Sequence, residues 1–575
     1  MQHRRTKRRA ALLGLTLLSA CAASTPGQTS FSGVAAAHAQ PADSFSAAFL
    51  VGRLAGQMGD VQVAAEAFLR ALKADPANQE VREQAFLACL LAGRPEARAL
   101  AQALPGNPAA MLLLADLAAS SGDWPRAQAL FAALPAPQPP ARGVTQTLQP
   151  LLVAWAQFGG GHADAALTTL HPYDSGPQAG GVYALHAALI ADLSQRDLEA
   201  GRLYQAAQAG FAEPNLQLNR ALASWQARQP DSGSKAVADA TLAAIVAASP
   251  DLAIAAPQLR RDIAERQVRR ATDGMAEAYL AEASALRLRD APEYAALLLR
   301  LALDLRPDFT AARLLWAEIS ERSKHPAVAL ALLQPVGAAD PLAALVEERR
   351  ALLLDQLGRD REALALLSRM QAAYPDRPEP WTLQGAVLRR QKQFSESAAA
   401  YDQAVARTPT PREADWPLFY QRGIAYDQAH RWPQAEADFK HALALRPDQP
   451  NVLNYLAYSW TERRVNLPLA RQMIQRAVAQ QPNDPAMIDS FGWIMLRQGD
   501  VPNAVRQLEH ASELEPEDAT INNHLGDAYR AAGDTLNAQF QWRRALTLHP
   551  DRNEASELEL KLKQVDAAVK SSAQP

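Results

Sequence analysis

The segment Ala519–Pro550, ATINNHLGDAYRAAGDTLNAQFQWRRALTLHP, decides the fold because it has the pattern of two short helices around a Gly-Asp turn. Small residues occupy positions 8, 20 and 27 counted from Ala519, and large residues occupy positions 7, 11 and 24: Gly526, Ala538 and Ala545, then Leu525, Tyr529 and Trp542. Small residues let two helices approach closely, and the large ones fill the space beside them. In the turn, a glycine can end the first helix and an aspartate can cap the second. We therefore predict a helical hairpin that ends at Pro550.

The same unit recurs along the chain. Prolines that would close the second helix follow one another at intervals of 34, 34, 34, 38, 35, 34 and 34 residues: Pro307, Pro341, Pro375, Pro409, Pro447, Pro482, Pro516 and Pro550. The Gly-Asp pair also recurs, at Gly59-Asp60, Gly122-Asp123, Gly499-Asp500 and Gly533-Asp534. A period of 34 residues with this pattern resembles the tetratricopeptide repeat. The resemblance implies an all-α, right-handed superhelix, an α-solenoid of paired antiparallel helices, and the near absence of β-branched runs predicts no sheet.

The quality of the repeat divides the chain into segments. Residues 276–552 hold eight regular units, and residues 45–275 hold degenerate units that the proline run at 135–140 and the Gly159–Gly161 triplet interrupt. Residues 553–570 are predicted to form a capping helix, because a solenoid must cover its last apolar face. Residues 22–43, rich in Ala, Ser, Gly, Gln and Pro, have the composition of a flexible tether.

The first 21 residues resemble a bacterial lipoprotein signal peptide. A basic stretch precedes the apolar run Ala10–Leu18, which is too short to span a bilayer. Leu18-Ser19-Ala20-Cys21 matches a lipobox, which implies lipidation of Cys21 and an outer-membrane anchor facing the periplasm. The alternatives are an ordinary secretory peptide, for which the cleavage motif Ala37-His38-Ala39 lies too far beyond the apolar run, and a cytosolic protein.

Composition and motifs argue against catalysis. The formal net charge of −3 does not favour nucleic-acid binding. The eleven histidines form no H-E-x-x-H motif, and His510 and His524 are expected at solvated or half-buried helix positions. No serine elbow or phosphate loop occurs, and Cys89 stands in an apolar stretch where a buried thiol is expected. We therefore expect no enzyme, metal, cofactor or small-molecule substrate; a catalytic module hidden in residues 135–273 is the alternative.

The repeat resemblance implies a binding surface. In this family, positions 2, 5, 9, 12 and 13 of each first helix face the inside of the superhelix. In the last units, the candidate groove residues are Tyr420, Asp427, Asn454, Tyr458, Asp489, Trp493, Arg497, Asn523, Asp527 and Arg530. Amides, rings and charges together suit an extended peptide or a partner helix. The alternative for Tyr458 and Trp493 is packing between neighbouring helices.

Three blocks near the C-terminus indicate a narrower group within the repeat family: Asn454–Trp460, Ile488–Trp493 and His524–Asp527. They are similar to proteobacterial cell-envelope tetratricopeptide proteins. Together with the leader and tether, they resemble outer-membrane lipoproteins that dock a periplasmic carboxy-terminal processing protease. The function implied is a non-enzymatic adaptor that binds a periplasmic protein; the alternative is an accessory subunit of polysaccharide export or synthesis.

Overall fold

The computed structural model describes residues 44–135, 144–173, 180–287 and 291–572. The predicted signal peptide with Cys21 and the tether at 22–43 lie outside these ranges. Within them the chain forms thirty α-helices and three short 3-10 helices at His171–Tyr173, Pro250–Ala253 and Glu413–Asp415, without a strand. The prediction of an all-α solenoid is confirmed.

The helices pack as consecutive pairs, six of which precede residue 262. These are α1 (Phe45–Gln57) with α2 (Val61–Ala74), α3 (Gln79–Leu91) with α4 (Glu96–Gln102), α5 (Pro108–Ser120) with α6 (Trp124–Ala132), α7 (Val144–Gly159) with α8 (Ala163–Leu170), α9 (Gly180–Leu193) with α10 (Asp197–Gly210), and α11 (Leu216–Ala227) with α12 (Ser234–Ala248). A short helix, α13 (Ala256–Arg261), follows them.

Eight further pairs and a terminal helix complete the chain. These are α14 (Ala271–Arg287) with α15 (Pro292–Leu305), α16 (Thr310–Arg322) with α17 (Pro326–Leu333), α18 (Ala343–Gln356) with α19 (Asp360–Ala373), α20 (Glu379–Arg390) with α21 (Phe394–Ala406), α22 (Trp416–Gln428) with α23 (Trp432–Leu445), α24 (Pro450–Glu462) with α25 (Leu467–Gln480), α26 (Pro485–Arg497) with α27 (Val501–Leu514), α28 (Ala519–Ala531) with α29 (Thr535–Thr547), and α30 (Arg552–Ser572). The first helices of several successive pairs also contact one another, and we call this side of the array the first-helix layer.

A glycine facing an aromatic ring holds several pairs together. A Cβ placed on the glycine at position 8 would come within 2.5–2.9 Å of a ring atom at position 24 of the same unit. The contact recurs in four units, between Gly52 and Phe68, Gly385 and Tyr401, Gly423 and Phe439, and Gly526 and Trp542. The two helices can lie this close because glycine leaves room for the ring, so the spacing seen in the sequence has a direct steric cause.

The turns have the expected chemistry with one exception. The glycines of the four Gly-Asp pairs all have positive φ, between 76° and 85°. Asp60, Asp123 and Asp534 each accept a hydrogen bond from a backbone N–H of the following helix. Asp500 also stands at the N-cap of its helix, α27, but its carboxylate makes no capping hydrogen bond of the same geometry. Its carboxylate instead accepts from Asn503 Nδ2 at 2.7 Å and Arg471 Nη2 at 3.0 Å.

Helices α14 and α15 pack against the N-terminal pairs. Helix α14 contacts α5, α7 and α9 as well as its partner α15, and α15 also contacts α3 and α5. The Tyr279 hydroxyl on α14 donates to the buried Asp116 carboxylate on α5 at 2.9 and 3.0 Å. A Cβ added to Gly274 would overlap the indole of Trp155 on α7. The N-terminal pairs therefore curve around α14 and α15, and α14 runs through residue 276, where the regular units were expected to begin.

Candidate protein-binding surface

Several candidate groove residues meet around a buried histidine. His524 Nδ1 lies 2.9 and 3.0 Å from the two carboxylate oxygens of Asp489, and its ring stacks on Trp493 with centroids 4.1 Å apart. The Tyr458 ring centroid is 6.2 Å from that of His524. The Trp493 indole N–H donates to Glu462 Oε1 at 2.7 Å. This geometry favours the packing alternative for Trp493.

The expectation that His524 is solvated or half-buried is wrong, since only 6 % of it is exposed. Burial opposes protonation of its ring, but the carboxylate of Asp489 and the hydrogen bond to it outweigh burial, so the pKa of His524 is raised. Sequence reasoning missed this partnership. The available signal was the spacing of 35 residues between Asp489 and His524, which places them on the first helices of adjacent units.

Two further groove residues are hydrogen-bonded by side chains of the terminal helix. Lys561 Nζ on α30 donates to Asn523 Oδ1 and to Asp527 Oδ2, both at 2.8 Å. Asn523 also donates to Glu554 Oε1 at 3.2 Å, and Asp527 accepts from the Trp542 indole at 3.0 Å. At this end of the array, α30 therefore lies where a ligand was expected.

The remaining groove residues differ in how free they are. Asp427 accepts from Arg463 Nη2 at 2.5 Å and from the Tyr455 hydroxyl at 3.2 Å. Tyr420 lies in an aromatic cluster, with its ring centroid 6.0 Å from that of Tyr455.

The other four candidates keep part of their surface accessible or a polar atom free. The Arg497 guanidinium lies 4.8 Å from the Trp493 ring centroid, and Arg530 is exposed. Tyr458 is half-buried. The buried Oδ1 of Asn454 has no hydrogen-bond partner within the described ranges. The other six of the ten residues are engaged by the chain itself.

A cleft of about 920 Å³ opens between part of the first-helix layer and the second helix α12 with α13. We call it the central cleft. One wall consists of α18, α20 and the start of α22, and the other consists of α12, α13 and the turn between them. Its lining includes Ala243, Val246, Ala247, Asp251, Arg260, Leu345, Glu348, Leu352, Glu379, Thr382, Leu383 and Leu418.

The helical periodicity explains why these side chains share one space. Leu345, Glu348 and Leu352 stand at intervals of three and four residues, which places them on one face of α18. Glu379, Thr382 and Leu383 have the same relation on α20, and so do Ala243, Val246 and Ala247 across the cleft on α12. Sequence reasoning missed this site because α12 and α18 come together only when the chain folds back.

Comparisons with known proteins agree with this architecture. Two family models described as tetratricopeptide repeats match the chain, one at residues 95–144 and the other at residues 49–97, 420–485 and 491–553. The matched segments are tetratricopeptide repeats. The TPR repeat-containing protein PA4667 of Pseudomonas aeruginosa is 30 % identical over 190 residues, which cover 33 % of this chain and 31 % of that protein. The chain therefore matches less than a third of that relative's length.

Two solved structures of tetratricopeptide type are similar at lower levels. A tetratricopeptide repeat protein from Parabacteroides merdae has 15 % identity and a TM-score of 0.36, covering 43 % of this chain and 95 % of that one. Yeast Tom70 has 12 % identity and a TM-score of 0.33, covering 92 % of this chain and 97 % of that one.

The residues that the structure describes contain no group of three or more His, Cys, Asp or Glu side chains that could hold a metal ion. In the same ranges, we find no helix with the length and apolar character needed to cross a bilayer. Tetratricopeptide repeats typically act as scaffolds for protein–protein interaction, and the central cleft is a surface on which such an interaction could take place.

Proposed function

We propose that this chain is a non-enzymatic adaptor of the bacterial cell envelope that binds a segment of another protein on its first-helix layer. The observation that carries the proposal is the central cleft, which is open and has both apolar and charged walls. Peptide-binding sites commonly combine apolar contact area with a few polar groups that fix the register of the ligand. The half-buried Tyr458 and exposed Arg530 on later first helices would extend this surface toward the C-terminus.

The leader supports the cellular part of the proposal. A lipid on Cys21 would anchor the chain in the outer membrane facing the periplasm, and a flexible tether would separate the repeats from the membrane. The resemblance of the C-terminal blocks supplies a candidate partner class, a periplasmic carboxy-terminal processing protease.

Anchoring is tested by the Cys21→Ser variant. It should move from the membrane fraction to the soluble periplasmic fraction, because the acceptor of the lipid is lost. Metabolic labelling with a palmitate analogue should label the wild type alone. Equal membrane association of both proteins would contradict the lipoprotein assignment without bearing on the adaptor role.

Partner binding is tested by photo-crosslinking in living cells. A benzoylphenylalanine at Thr382, inside the central cleft, should form an adduct with one or a few defined proteins. The matched control is the exposed Ala437 on the second helix α23, where no such adduct is expected. Equal adducts at both positions, or none at Thr382, would count against a binding role for the first-helix layer.

A further inference from the structure

The central cleft contains a carboxylate that has no partner among the residues that the structure describes. Glu348 lies between Leu345 and Leu352 on one face of α18, half-buried among the lining side chains. Its carboxyl group makes no hydrogen bond or ion pair with the residues that the structure describes. A charge in apolar surroundings without a counter-ion is costly, so a group of this kind either keeps its proton or pairs with a cation from elsewhere.

The arginines around the cleft do not supply that compensation, because most are committed to other groups. Arg377 Nε donates to Glu379 at 3.2 Å, and Arg349 pairs with Glu321 at 2.9 Å. The other two committed arginines are Arg412, which lies 3.6 Å from Asp415, and Arg407, which stacks over Trp381 and donates to the Pro375 carbonyl at 2.6 Å. Arg260 is exposed at the rim.

The electrostatic surroundings of Glu348 disfavour its charged form. Burial, then the nearby carboxylates of Glu379 and Asp251, raise the pKa of Glu348 to about 8, and Arg377 only partly opposes them. The carboxylates thus outweigh the arginine at this point. A cation brought into the cleft would be attracted to this carboxylate and would relieve the cost of its ionisation.

We propose, resting on the adaptor function above, that the central cleft binds a protein segment in which a lysine or arginine is flanked by apolar residues. The cation pairs with Glu348, while the flanking side chains contact Leu345, Leu352 and Leu383 of the two first helices and the Ala243–Ala247 face of α12. An acidic side chain at the same position is disfavoured, since it would lie against Glu348, which has no counter-ion among the described residues.

The test uses the full chain on arrays of immobilised pentapeptides with randomised apolar flanks and a fixed centre. The centre is lysine, arginine, norleucine or glutamate, so that lysine and norleucine differ by the charged group alone. Binding to lysine- or arginine-centred peptides should exceed binding to norleucine-centred ones by about tenfold or more. Glu348→Gln should remove this preference, whereas Glu347→Gln, on the adjacent residue that does not line the cleft, should retain it.

A second variant tests the central cleft without changing Glu348. Thr382→Arg places bulk and positive charge in the cleft and should abolish binding of the basic peptides, with helix content and melting temperature measured alongside. Equal binding of lysine and norleucine centres, preference for glutamate, preference that survives Glu348→Gln, or no binding at all would overturn the assignment. In each of these cases, a specific crosslink from Thr382 in cells would leave the adaptor function standing.

Discussion

At the scale of single residues, the unusual groups are carboxylates on the first-helix layer. Asp489 is paired with His524. Asp527 accepts hydrogen bonds from Lys561 and from the indole of Trp542. Glu348 has no such partner among the described residues. The contrast separates carboxylates that hold helices of the array together from one that is available to a ligand.

Glu348 predicts an unusual dependence of stability on pH. In the unfolded chain its carboxyl group ionises near its ordinary value of 4.5, but the folded chain holds the pKa at about 8. Between these values the unfolded state ionises first, so the free energy of unfolding decreases as the pH rises, and the penalty is complete above pH 8. Glu348→Gln should therefore raise the melting temperature at pH 9 and leave it nearly unchanged at pH 4.5.

The measurement is a pair of thermal melts at each pH, with Glu347→Gln as the control for loss of one charge on the same helix. Because Glu348 is only half-buried, the sign of the effect is predicted and not its size. A stabilisation that is the same at both values of pH would contradict the raised pKa.

At the scale of elements, helix α30 covers the end of the array as a further repeat would. Leu558 and Val565 are buried against Ala538, Trp542 and Ala545 of α29, which covers the last apolar face of the array. Lys561 then links α30 to α28 through two hydrogen bonds. The terminal helix is thus held by polar and apolar contacts together.

Lys561→Met should destabilise the C-terminal repeats by about 1–2 kcal/mol, because Asp527 and Asn523 lose a charged donor. Lys563→Met is the matched control. Lys563 has a side chain that is 76 % exposed and lies 3.8 Å from Glu559, so its loss should cost less than about 0.5 kcal/mol. Urea denaturation followed by circular dichroism measures both; equal effects would mean that the link to α28 contributes nothing.

The packing of α14 against α7 depends on a single small residue, Gly274. Gly274→Ala should destabilise the N-terminal half by about 1–3 kcal/mol, because the added methyl group overlaps the Trp155 indole in a packed interior. Gly56→Ala, near the end of α1, is the control. Its Cβ would meet open space, and alanine there should be neutral or stabilise by up to about 1 kcal/mol. Chemical denaturation of both variants measures the change in the free energy of unfolding. No change in Gly274→Ala would show that Trp155 can move aside.

At the scale of the whole molecule, the N-terminal pairs and α14–α15 form one packed body. A single cluster of buried side chains runs from Ala55 to Ile319 and includes residues of α14 such as Met275 and Leu280. Partly buried hydrogen bonds follow the same path, among them Gln217 to Glu277 at 3.1 Å and Arg306 to Glu277 at 3.2 Å. The array is therefore not a simple row of repeats in which each unit contacts only its neighbours.

This arrangement predicts how fragments of the chain behave. Residues 44–335, which retain α14 and α15, should fold and unfold cooperatively. Residues 44–262 should aggregate or melt without a cooperative transition, because the faces of α5, α7 and α9 that α14 covers would be exposed to water. Size-exclusion chromatography and thermal melts compare the two. A monomeric 44–262 fragment that melts as sharply as 44–335 would show that the N-terminal pairs are stable without α14.

The sequence alone determined the repeating elements. A glycine at position 8 and a ring at position 24, as in Gly526 and Trp542, act within one unit, so their spacing along the chain is enough to predict the helical pair. The positive-φ glycines and most of the aspartate caps were predictable for the same reason, since each depends on residues a few positions apart.

Only the tertiary structure decided where binding surface remains open. Tyr279 donates to Asp116, which lies 163 residues earlier in the chain. Contacts of this kind leave no periodic pattern in the sequence, because the residues around one partner do not indicate the other. The same holds for Lys561 on Asn523 and for the meeting of α12 with α18 that forms the central cleft. A local pattern fixes which face of a helix points inward, but the curvature that accumulates over many pairs determines what that face meets.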